Sequence, residues 1–132
     1  MARTTEGAAV AVADVPEIGS VDELMEVLDA HRGRDHGLRT AALLRRSHPS
    51  DKELQVAGLL HGLAREVRPL LGARVAGLAR EHPAPARPHP APDAETLRQA
   101  SESATTAGLD AGVMEDWRPV LELLAARVRG VG

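Results

Sequence analysis

From residue 20 onward the apolar positions recur at helical spacing. Ser20-Val21-Asp22-Glu23 has the form of a capping box, and Val21, Leu24, Val27 and Leu28 follow it at i, i+3, i+6 and i+7, which predicts a first helix closed by Gly33. A second helix is expected over 35–47, with Leu38, Ala41, Ala42 and Leu44 facing inward and Pro49 as its stop. Ser50-Asp51-Lys52-Glu53 repeats the capping pattern ahead of a third helix with the stripe Leu54, Ala57, Leu60, His61 and Ala64. Pro69 suits the first turn of a fourth, whose stripe is Leu71, Val75, Leu78 and His82. No run alternates β-branched and polar residues as a strand would.

Two stretches break the periodicity. Residues 1–19 show none and predict a flexible leader. Residues 83–92 read Pro-Ala-Pro-Ala-Arg-Pro-His-Pro-Ala-Pro, an extended proline-rich spacer that can continue neither a helix nor a ladder. Beyond it, Asp93 caps a weakly apolar helix with Leu97, Ala100 and Ala104. A stronger terminal helix carries Trp117, Val120, Leu121, Leu124 and Val128. The expectation is an all-α bundle of about five to six helices. Residues 20–132 form its single domain, and 93–132 dock on 20–82.

Composition narrows the function classes. At 132 residues the chain suits one domain. It has no cysteine, which removes disulfides, thiolate metal sites and thiol nucleophiles. Sixteen cations against nineteen anions, with Trp117 the only aromatic, leave neither bulk positive charge nor a stacking platform for nucleic acid. No apolar run approaches the ~18 residues of a membrane span, and the first residues are a poor signal peptide, so a cytoplasmic protein is the expectation. Phosphate-loop, dinucleotide and nucleophile-elbow motifs are missing. Ser101 and Ser103 read as solvent-facing residues, and Arg32, Arg34, Arg45 and Arg46 as a solvated face near helix ends that could also grip a phosphate.

The chain has six histidines. His31, His48 and His89 fall at helix ends or in the spacer, where a solvated imidazole needs no special role. His36, His61 and His82 lie on successive helices, two of them on apolar stripes, and inward-facing imidazoles from neighbouring helices are how bundle metal sites are built.

The stretches Asp35-His36-Gly37-Leu38-Arg39-Thr40-Ala41-Ala42 and Glu53-Leu54-Gln55-Val56-Ala57-Gly58-Leu59-Leu60-His61-Gly62 resemble the HD-domain superfamily of metal-dependent phosphohydrolases. Within it they resemble most the branch of phosphonate-cleaving oxygenases. Leu70 to His82 is similar to that branch's helix ending in a ligand histidine, and 116–130 faintly to its terminal helix. The resemblance implies an HD-like fold with His36, His61 and His82 as metal ligands.

The departures imply a degenerate site. The family's second histidine is followed by an aspartate that bridges two metal ions, and here Gly62 stands in its place. Two divalent ions ~4 Å apart repel by on the order of 16 kcal/mol at an effective dielectric of about 20, and an anionic bridge offsets that repulsion. Where the family has a further aspartate, this chain has Leu124, Ala125 and Ala126, and residues 63–81 hold no histidine. The nearby carboxylates that could compensate are Asp35, adjacent to His36, and Glu66, five residues from His61, and at those spacings they diverge around the helix.

Three readings follow. The first is a degenerate HD-type domain, without dinuclear chemistry, acting as a binding or regulatory module. In the second, an enzyme keeps at most one divalent metal, iron or zinc, on His36, His61 and His82 and acts on a small phospho- or phosphono-compound. The third is a helical interaction protein whose Trp117 stripe docks on a protein partner or a second copy. Catalytic residues are not assigned.

Overall fold

The structure, a computed structural model, describes residues 16–81, 92–106 and 111–130, and every regular element among them is helical. Seven α-helices are described: α1 Val21–Ala30, α2 Arg34–Ser47, α3 Lys52–Leu59, α4 Arg68–Leu71, α5 Ala73–Glu81, α6 Pro92–Thr106 and α7 Arg118–Val128. A 3-10 turn, Met114–Trp117, leads into α7. No described helix is long and apolar enough to cross a membrane. Residues 1–15 of the expected leader and 82–91, which include His82, His89 and most of the proline-rich spacer, lie outside the described residues.

Capping chemistry sets the first boundaries. Ser20 Oγ accepts the Glu23 N–H at 3.1 Å, while Glu23 Oε1 reaches past Ser20 to accept the Gly19 N–H at 2.9 Å. α1 stops at His31, and Gly33 is the N-cap of α2 instead of the terminator of α1. Before α3 the cap is Asp51, one residue later than the sequence pattern places it; its Oδ1 accepts the Leu54 N–H at 3.1 Å. Residues 16–19, read from the sequence as leader, are tied to the body: Glu66 N–H bonds to Pro16 O at 2.8 Å and Ile18 N–H to Glu66 O at 3.0 Å. Ile18 is fully buried. One isolated apolar residue carries no periodicity, so its burial has no signature in the sequence.

α3 is the central element. Leu54 through Leu60 are all buried, a helix enclosed on every side instead of one with an inward stripe. It ends at Leu59, so Ala64, expected on the stripe, lies beyond the helix and is exposed. The single helix expected through Leu71 and Leu78 is two, broken at Gly72, whose φ of +97° is open to glycine and costly to other residues.

The larger hydrophobic cluster joins Ile18, α1, α2, α3, α4, α5 and α7 around Trp117, which is fully buried. A smaller cluster of Leu44, Leu54, Ala57, Leu78 and Leu97 lies beneath α6. The Trp117 stripe thus packs inside its own chain, and only Leu123 and Val128 of α7 are exposed large apolar residues. The buried Trp117 ring leaves no free face for the partner docking of the third reading.

α6 is also fastened by charge. Arg74 on α5 donates to Asp51 through both terminal nitrogens at 2.9 Å, to Glu53 at 2.9 Å and to Asp93 on α6 at 2.8 Å. The hydrogen bonds from Arg74, against a smaller opposing effect of burial, hold the Asp51 carboxyl below its ordinary range. An acid whose folded pKa is depressed stabilises the fold fully above its unfolded value of about 3.9, and that contribution is lost as the pH falls through the folded value. Acid unfolding should therefore deepen below pH ~4. Asp51→Asn should flatten the dependence of the urea midpoint on pH in that window; an unchanged profile would contradict the linkage.

Candidate functional site

The sequence-predicted residues converge in part. α2 presents His36 from its first turn, and the turn after α3 presents His61, with ring centroids 5.3 Å apart and planes tilted by 56°. The two helices approach closely because Gly37 and Gly58 lie between them. A Cβ on Gly37 would sit 2.6 Å from the Leu59 carbonyl oxygen, and one on Gly58 would sit 2.8 Å from Leu44 Cδ1. His82 lies outside the described residues.

His36 has a partner that the sequence reading missed. Its Nε2 is 3.0 Å from Ser101 Oγ on α6, and Ser101 is buried at 7% exposure. Ser101 was expected to face solvent; instead Leu97, Ser101 and Ala104, spaced i, i+4 and i+7, form the buried face of α6. That spacing was legible, but the polar character of Ser101 outweighed it. Nearby, Arg39 Nε donates to Ala104 O at 3.1 Å, a second polar contact between α2 and α6 beside the apolar packing of Leu97 on Leu44, while within α2 Thr40 Oγ1 donates to His36 O at 2.9 Å. Burial, with Arg39 as a lesser cause, holds His36 below the ordinary imidazole value and so favours its neutral form.

The pair can be tested against a metal ion. With metal–nitrogen bonds of about 2.0–2.1 Å, two imidazoles on a tetrahedral ion would place their centroids about 5.2 Å apart, close to the observed separation. Ordinary packed rings span about 4.5–7 Å, so the distance alone does not select a metal. The donor set decides more. Among the described residues no group of three or more His, Asp or Glu side chains could hold an ion. Of the two nearby carboxylates, Asp35 is an exposed side chain 3.5 Å from Arg34, and Glu66 accepts from Arg80 and from the Arg68 N–H. Gly62 adopts φ +80°, and a Cβ built there meets nothing within 4 Å. The described residues therefore do not make up the ligand set of a dinuclear centre.

Other candidates among the described residues lie at helix ends or in contacts within the chain. His31 and His48 are the C-cap residues of α1 and α2. Arg34 bonds to Asp29, and Arg45 lies over the Trp117 ring at 4.3 Å. A concavity of about 320 Å³ beside the 60–67 loop is lined by Leu60, Gly62, Leu63 and Ala76, with Arg65 and Arg80 also among its lining residues. Gln55, buried and unremarked in the sequence, donates to His48 O at 2.8 Å and Pro49 O at 3.2 Å, which fixes the turn between α2 and α3.

Comparison with models of known protein families gives no match, and searches of curated proteins and of solved structures give none either.

Proposed function

We propose that this chain is a degenerate HD-type helical domain that acts as a binding or regulatory module, without dinuclear metal chemistry. The observation that carries the reading is the His36–His61 pair followed by Gly62, with no third His, Asp or Glu among the described residues placed to complete a metal-binding group. A bridging anion would have to offset a repulsion on the order of 16 kcal/mol, and among the described residues no carboxylate joins this pair in a possible metal-binding group. Its ligand would be a small phospho- or phosphono-compound, as the resemblance implies, or a protein partner. The second reading, a mononuclear iron or zinc enzyme using His36, His61 and His82, draws support from the 5.3 Å ring separation.

Elemental analysis of chelator-free, untagged protein separates the readings. The expected result for the module is less than one ion per chain. One ion at full occupancy favours the enzyme, and two overturn the proposal. Gly62→Asp restores the carboxylate into open space. Its positive φ costs aspartate about 1 kcal/mol, a strain the fold should survive. Metal uptake should rise in this variant, and unchanged uptake by folded protein would count against the HD reading.

A further inference from the structure

We propose that Ser101 closes the His36 imidazole to cations by occupying its Nε2 lone pair, so that α6 carries a built-in competitor for metal at this site. The inference deepens the degenerate-site reading and rests on it. Among the described residues, His36 Nε2 is the only hydrogen-bond partner of Ser101 Oγ. Ser101 is almost wholly buried, so its hydroxyl proton needs an acceptor within the protein. The imidazole nitrogen provides one. In the opposite arrangement Nε2–H would donate to the hydroxyl, and the Ser101 proton would be buried without an acceptor, the costlier choice.

Donation from Ser101 fixes the ring tautomer. A neutral imidazole whose Nε2 accepts must carry its proton on Nδ1. One nitrogen is then covered by the serine and the other is protonated, so neither offers a lone pair to an ion. A metal-ligating histidine ordinarily uses one nitrogen for the metal and donates from the other to an acceptor. Here Ser101 supplies a donor where such a site needs an acceptor or an open position. The three fastenings of α6, Asp93 to Arg74, Ser101 to His36 and Ala104 O to Arg39, hold that donor in place.

The test is ring-nitrogen NMR of the full chain at pH 8, where imidazoles are neutral without any shift in pKa, followed by titration with Zn2+ alone. Wild-type His36 should show the Nδ1–H form, Ser101→Ala should move toward Nε2–H, and Ser101→Thr, which keeps the hydroxyl, should restore the wild-type signature. Zn2+ read at the His36 nitrogens should bind Ser101→Ala about tenfold more tightly than wild type, the scale of one competing hydrogen bond. An Nε2–H form in the wild type, an unchanged tautomer in the alanine variant, or equal Zn2+ affinities would each overturn the inference. Should the alanine variant not fold, the wild-type tautomer decides. Two ions in native protein would sink the module reading through metal content, whereas a wrong tautomer sinks only the role of Ser101.

Discussion

Trp117→Ala is expected to lower stability by about 4 kcal/mol, within the range measured for truncating a buried aromatic to alanine. Trp117 is fully buried in the larger hydrophobic cluster, which joins α1, α2, α3, α4, α5 and α7. The cavity left behind would be lined by several helices at once, so collapse of one helix could not fill it. Arg45, stacked 4.3 Å from the ring centroid, would lose its aromatic platform as well. Against a typical total of about 5–15 kcal/mol, this is a large fraction, and the thermal midpoint should fall by more than about 10 °C. Trp117→Phe should cost much less, because the indole N–H has no hydrogen-bond partner among the described residues and its removal orphans no acceptor. Circular dichroism melts of both variants check the order; equal losses would show that the ring's bulk is not what holds the cluster together.

Gly37→Ala should destabilise the fold by about 2 kcal/mol, since overpacking outweighs the gain of about 1 kcal/mol in helix propensity. The added methyl would meet the Leu59 carbonyl oxygen at 2.6 Å, and a backbone oxygen, unlike a side chain, cannot rotate aside. α2 and α3 would have to separate by several tenths of an ångström at the point where they bring His36 and His61 together. Stability and site geometry should therefore respond in one variant, with a lower urea midpoint and shifted ring resonances for both histidines. Gly77→Ala is the control, because a Cβ there meets nothing within 4 Å and helix propensity alone should leave it neutral or slightly stabilising. A loss in Gly37→Ala no greater than in the control would refute the close approach.

Local order in the sequence announced most of the helices and the fold class. Caps such as Ser20, breakers such as Pro49 and the 3.6-residue period act within one turn of the residue that carries them, so Val21–Ala30 and Arg34–Ser47 were legible within one to three residues at each end. The shift of the α3 cap from Ser50 to Asp51 is of the same local kind, since either side chain can satisfy a first-turn amide.

The pairing of distant side chains was decided only by tertiary packing. Nothing near Ser101 marks it as a partner of a histidine 65 residues away; α6 must first lie on α2, with Leu97 seated on Leu44, Leu54, Ala57 and Leu78. Ile18 is held at the loop by its backbone bond to Glu66, and Arg74 gathers Asp51, Glu53 and Asp93 because α3 and α6 both begin beside it. The sequence by itself determined that this protein is helical and that glycine follows its central histidine. Only the tertiary structure decided that His36 meets both His61 and a buried serine. The reason is range: capping and periodicity act over a few residues, whereas hydrogen bonds across a helix seam exist only after the helices have packed.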